Sequence, residues 1–148
     1  MKKLFIYYSY TGNGDVIAQE LENQGFEIRK VIRQKRLPKS FFWGVLCGGF
    51  LASIAHKDKL QNYDKDISGF EKVVIGSPIW NARLSSPINR VLADVELSNI
   101  ELTFVLYAGS GTGKKAVKRI NKQYPNAKVV LLKDPKKYPE ELKKISEL

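Results

Sequence analysis

Hydrophobic positions fall into five short runs separated by polar, helix-patterned stretches. Leu4-Phe5-Ile6-Tyr7-Tyr8 is almost continuously apolar, as expected of a strand covered on both faces. Phe26, Ile28 and Ile32 alternate with charged residues, which predicts a second, less buried strand. Further apolar runs at 72–77, 102–107 and 128–132 predict three more. Between them, Val16, Ile17, Ala18 and Leu21 mark one face of a helix over 15–24, stopped by Asn23-Gln24-Gly25. Ser86 followed by Pro87 predicts the start of a helix over 88–97, and a third helix spans 114–123 before Pro125. Residues 138–148 predict a closing amphipathic helix. Residues 33–40, basic and containing Pro38, read as a connection, and the polar residues 57–70 as a link. A βα unit repeated five times predicts one α/β domain over 1–148, a parallel sheet with helices on both faces.

One run does not fit the alternation. Residues 41–55, Phe-Phe-Trp-Gly-Val-Leu-Cys-Gly-Gly-Phe-Leu-Ala-Ser-Ile-Ala, are the most apolar in the chain and carry no charge. The run is shorter than the ~20 residues that span a bilayer, so no transmembrane segment is expected. The leading expectation is a buried helix packed on the sheet; the alternatives are a partly exposed lid over a ligand and an interfacial anchor helped by neighbouring lysines. His56, the only histidine, is assigned no metal or catalytic role.

Composition narrows the function. One cysteine, Cys47, rules out an internal disulfide or a multi-cysteine metal cluster and suits a reducing cytoplasm. The opening Met-Lys-Lys and the apolar residues after it are too few for a secretory leader. The net charge of +10 predicts attraction to acidic partners. Nucleic acid is not expected: no recognition motif is present, and Lys114, Lys115, Lys118, Lys122, Lys136, Lys137, Lys143 and Lys144 are spaced as on solvated helix faces.

Three loops rich in small residues each follow a strand, so all should lie along one edge of the sheet. Ser9-Tyr10-Thr11-Gly12-Asn13-Gly14 joins the first strand to the first helix, where unpaired amides and the positive end of the helix dipole favour an anion such as phosphate. A capped turn that binds nothing is the other reading. Ser77-Pro78-Ile79-Trp80-Asn81-Ala82 sets a large aromatic beyond a buried strand, where open α/β sheets bind ligands. Ala108-Gly109-Ser110-Gly111-Thr112-Gly113 is the third loop; it lacks the spacing of a nucleotide-binding P-loop, having Ala108 and Lys115 where glycine and a hydroxyl residue are needed.

Taken together, these loops resemble those of the flavodoxins, and more closely the short flavodoxin-like proteins of bacteria. The first is similar to the family's Thr/Ser-x-Thr-Gly-Asn-Thr phosphate loop; Gly76 to Ala82 resembles its Gly-Ser/Thr-Pro-x-Trp loop; the third stands where relatives contact the flavin again. The resemblance implies a doubly wound, five-stranded parallel sheet of order 2-1-3-4-5 in three α/β/α layers. It implies FMN as cofactor, its phosphate on Ser9, Tyr10, Thr11, Gly12, Asn13 and Gly14, and its ring along Ser77, Pro78, Ile79, Trp80, Asn81 and Ala82, with Gly109, Ser110 and Gly111 beside it. Two departures stand out. Gly14 replaces the closing hydroxyl residue, and Asp15 adds a negative charge, so affinity for FMN is expected to be reduced; the basic surface also contrasts with the acidic one of familiar flavodoxins.

The expected function is electron transfer to an acidic redox partner, with no catalytic acid or base and no metal. The alternatives are an FMN-dependent NAD(P)H or quinone oxidoreductase, and a cofactor-free regulatory module on the same fold. A weak membrane-surface association is also compatible with the basic, partly apolar chain.

Overall fold

The computed structural model describes residues 1–37 and 40–148; Pro38 and Lys39, inside the expected 33–40 connection, lie outside the described residues. In chain order the elements are β1 (Lys3–Tyr7), α1 (Asn13–Asn23), β2 (Phe26–Lys30), α2 (Phe41–Ser53), β3 (Lys72–Trp80), β4 (Arg83–Leu84), α3 (Ser86–Asp94), β5 (Glu101–Ala108), α4 (Lys114–Gln123) and β6 (Lys128–Lys133). A 3₁₀ segment, Pro139–Ile145, follows. The sheet runs β2-β1-β3-β5-β6, all parallel, with β4 added antiparallel to the end of β3. The five main strands follow the expected 2-1-3-4-5 order, which is that of the flavodoxin-like doubly wound fold.

β1 reads as continuously apolar because both its faces are covered. Leu4 and Ile6 pack with Ile88 and Val91 of α3 and Ala116 and Ile120 of α4. Phe5 and Tyr7 face the other layer, against Ile17, Ala18 and Leu21 of α1 and Ile145. Leu4, Phe5 and Ile6 are fully buried, each contributing about 1.5–3 kcal/mol by leaving water.

The structure departs from the sequence expectation at several points. β3 continues through Pro78 to Trp80 and turns back into β4, so the second loop is a hairpin. Its turn residues Asn81 and Ala82 both have positive φ, 49° and 62°, the backbone of a tight two-residue turn. Ser85, not Ser86, occupies the N-cap of α3, and the helix stops at Asp94 because Val95 is extended, taking Val95 and Leu97 into the core. The expected C-terminal α-helix is a 3₁₀ segment, which buries only Ile145 and so gains little packing to hold a regular helix.

The largest correction concerns α2. It is not a buried helix. Only Gly44, Gly48 and Ala52 are buried, a narrow seam of small residues one turn apart that rests on β3, β4 and α3. Phe42, Trp43 and Phe50 are 64%, 61% and 64% exposed. Among the described residues, no helix is long and apolar enough to cross a membrane.

Three tyrosines at the carboxyl end of the sheet hold their protons against burial. Tyr107 is wholly buried, donates to the Tyr8 carbonyl oxygen, and has its pKa raised well above the usual value, chiefly by desolvation. Burial also raises Tyr7, helped by its bond to Asp15, and pushes Tyr8 up to about 12. The unfolded chain ionises its tyrosines near pH ~10, so above that pH the folded state keeps protons that the unfolded state has lost, and stability falls. Urea unfolding followed against pH is expected to show a midpoint that drops from about pH 10 upward. Tyr7→Phe, which removes one of the three groups, is expected to make that drop shallower.

Candidate functional site

The chain leaves the sheet at Tyr7 and must reverse into α1 within a few residues. Gly12 makes this possible: at φ +97° it adopts a left-handed conformation and sits at the N-cap of α1 without a capping side chain. Ser9 supplies the missing acceptor. Its Oγ receives hydrogen bonds from the amides of Gly12 at 3.2 Å and Gly14 at 3.1 Å, which fixes the curl of the loop. The amides of the first helical turn, which have no partner within the helix, are thereby gathered at one point with the positive end of the dipole.

Gly14, a departure from the flavodoxin loop, has a steric cause. A Cβ there would lie 2.7 Å from Tyr7 Cδ2, 2.8 Å from the Tyr107 hydroxyl and 2.9 Å from Ser9 Cβ. The rings of two tyrosines fill the space that a side chain here would need. Asp15, the other departure, does not leave an unbalanced charge: its Oδ1 accepts from Lys30 Nζ and from the Tyr7 hydroxyl, both at 2.7 Å.

A cation that the sequence did not single out lies over the same loop. Lys136 donates its backbone amide to Asn13 Oδ1 at 3.0 Å and its Nζ to the Thr11 carbonyl at 3.3 Å. It sits more than a hundred residues away in the chain, among many other lysines, and nothing local in the sequence sets it apart.

The loop opens onto a crevice of about 210 Å³. Tyr10, Thr11 and Asn13 line it from the first loop; Pro78, Ile79, Trp80 and Asn81 from the hairpin; and Tyr107, Ala108 and Gly109 from the end of β5. Phe41 and Val45 of α2 wall the remaining side, the place that the lid alternative would give them. Trp80 is half-buried; Tyr8 meets its ring edge-on at 5.7 Å, and Gly48 of α2 is packed against the indole so closely that a Cβ there would be 3.0 Å from it. Asn81 donates to Ser53 Oγ, which ties the hairpin turn to the end of α2.

Not every expected site residue reaches this crevice. Ser9, Gly12 and Gly14 build the loop behind it. Ser77 is fully buried, its Oγ accepting the Ser85 amide at 3.1 Å and meeting Ser85 Oγ at 3.0 Å, so it braces the hairpin. Ala82 directs its carbonyl to the Ala116 amide, which anchors the turn on α4. Ser110 is bonded to Thr112 within its own loop, and Gly111 packs against Lys133; neither lines the crevice. Tyr107 lines it without having been expected; Ala108 begins the third loop, and Phe41 and Val45 belong to the stretch that only the lid alternative placed near a ligand.

No protein-family model matches the chain, and no curated protein sequence does. Its three-dimensional structure does have counterparts. A flavoprotein from Lactobacillus acidophilus NCFM, solved in complex with FMN, superposes with a TM-score of 0.74 at 17% identity, over 94% of this chain and 97% of that one. A candidate flavoprotein from Bacteroides eggerthii superposes equally well, TM-score 0.74, at 19% identity over 90% of this chain and 88% of its own. The NMR structure of the apo-form of a flavoprotein from Lactobacillus acidophilus NCFM gives a TM-score of 0.56 at 20% identity, over 87% of this chain and 88% of that one. At these identities the likeness is one of fold.

The packing around residue 14 makes a prediction contrary to simple motif repair. Gly14→Thr, which would restore the hydroxyl found in the flavodoxin loop, is expected to lower stability by about 1–3 kcal/mol, because the tyrosine rings have to move. Chemical denaturation of the variant beside the parent checks this.

Proposed function

We propose that this chain is an FMN-binding electron-transfer protein. One observation carries the proposal: at the switch point between β1 and β3, the amide-rich start of α1 and the ammonium of Lys136 adjoin a crevice walled by aromatic side chains. A phosphate-bearing, flat, apolar ligand matches both halves. The resident residues fit it: Gly12 leaves the loop backbone bare beside the Lys136 ammonium, Asp15 is already paired, and Lys136 adds positive charge. FMN is also the ligand of the Lactobacillus protein with the same fold.

On this reading the Thr11 hydroxyl and the loop amides that Ser9 does not take hold the phosphate, and Ser9 keeps the loop curled behind them. Trp80 and Tyr10 position the ring, while Phe41 and Val45 keep water from one side of it. FMN, when bound, supplies the redox chemistry; the protein sets its position and polarity. The enclosed volume, about 210 Å³, is below the ~300–1,000 Å³ of ordinary small-molecule pockets, so part of such a ligand remains at the surface. That suits exchange of electrons with another protein. The net charge of +10 selects an acidic partner by steering, and the single cysteine suits a reducing cytoplasm.

Titration of the apoprotein with FMN and with riboflavin, which lacks the phosphate, tests the reading. FMN is expected to bind at least ~10-fold more tightly, since one charge-assisted hydrogen bond contributes about 1.5–3 kcal/mol. Lys136→Ala is expected to weaken FMN several-fold and leave riboflavin unchanged, with a difference that shrinks as salt rises. Equal, weak binding of both flavins would leave a cofactor-free module as the better account.

A further inference from the structure

The exposed side of α2 is unlike the surface around it. The helix is apolar on every side, yet only its Gly44-Gly48-Ala52 seam is covered. The outer arc presents Phe42, Leu46 and Phe50 one turn apart, flanked by Trp43 and Ile54, all at least half exposed. A helix hydrophobic all round normally has a second apolar environment to meet. Its single hydroxyl, Ser53, already donates to the Gly49 carbonyl and accepts from Asn81.

Charge says what that environment is. From Ile28 to Lys57 the sequence contains no Asp or Glu, while Arg29, Lys30, Arg33, Lys35, Arg36, Lys39 and Lys57 are basic; of these, Arg29, Lys30 and Arg33 are ion-paired with acidic residues outside the stretch. Lys35 and Arg36 before the helix and Lys57 after it are exposed. We infer that α2 is an interfacial anchor, lying flat on an anionic lipid bilayer with Phe42, Trp43, Leu46 and Phe50 sunk to the acyl boundary and the flanking basic residues on the headgroups. Thirteen helical residues extend only about 20 Å, too short to cross the ~30 Å hydrocarbon core but long enough to lie along its surface. Trp43 near the basic end of the helix is the aromatic type that favours the headgroup level. A second copy of the chain fits less well: a two-fold contact through α2 would bring each basic flank towards its own counterpart, and the outer arc lacks the polar groups that ordinarily rim a protein interface. Such docking requires no bound flavin, and it would leave the crevice mouth, walled by Phe41 and Val45, beside the lipid surface.

Co-sedimentation of the purified full chain with vesicles of phosphatidylcholine, alone or mixed with phosphatidylglycerol, tests this. The protein is expected to pellet with the anionic vesicles, to remain largely in solution with the neutral ones, and to be released in part by salt. The triple variant Phe42→Ser, Trp43→Ser, Phe50→Ser changes only exposed side chains and is expected to lower the bound fraction at least ~10-fold. Quenching of Trp43 by brominated lipid, in a Trp80→Phe background that leaves one indole, reads the same contact in a chain whose α2 is intact. No pelleting with anionic vesicles, equal pelleting with neutral ones, equal pelleting of the triple variant, or an unquenched Trp43 would each overturn the inference. So would a concentration-dependent dimer that the triple variant dissolves while the parent ignores lipid.

Discussion

Everything at the crevice-bearing edge follows from one constraint, the need to satisfy backbone amides where a fully buried strand runs into a helix. β1 is enclosed on both faces, so the chain cannot fray out of the sheet; it must turn at Tyr8 and start α1 with amides that have no partner in the helix. Ser9 takes two of them, and Gly12, in a left-handed conformation, lets the chain curl around that hydroxyl. The result is a curled loop whose remaining amides lie at the positive end of the α1 dipole. Tyr7 and Tyr107 lock it from beneath, in the space that a side chain at residue 14 would fill.

The other walls of the crevice are held by the same kind of close contact. Tyr8 continues from β1 to meet Trp80, the Ser77–Ser85 hydroxyl pair closes the hairpin that carries Trp80, and Gly48 lets α2 lie against the indole. Small residues at Gly44, Gly48 and Ala52 bring this helix in and also explain its exposure, because a seam that narrow covers none of the aromatic side chains beyond it. The site and the unusual surface are therefore two faces of one element.

Much of this was legible in the chain. Doubly covered strands announce themselves as unbroken apolar runs, and glycine and hydroxyl residues after them mark where such strands release the backbone; that sufficed for the five main strands and for placing Tyr10, Thr11, Asn13, Trp80 and Gly109 at one edge, while the strand order came from the resemblance to the flavodoxins. Orientation was less legible. An apolar count over residues 41–55 does not say which side of a helix is covered, although the four-residue spacing of Gly44, Gly48 and Ala52 carried that information. The two-residue β4 is too short to leave a pattern, and the turn of Ser110 and Gly111 away from the crevice depends on packing against Lys133, an edge-strand residue. Lys136 joins the loop through contacts across the whole length of the chain, which no local motif records.

The central claim is that backbone amides at the start of α1 grip an anionic headgroup. Amide chemical shifts followed residue by residue while FMN is added address it directly. The account predicts that the amides of Thr11 to Asp15 move most, that the Trp80 indole moves with them, and that riboflavin shifts the indole while leaving the loop amides nearly still. Loop amides that stay in place as FMN saturates another part of the surface would contradict it.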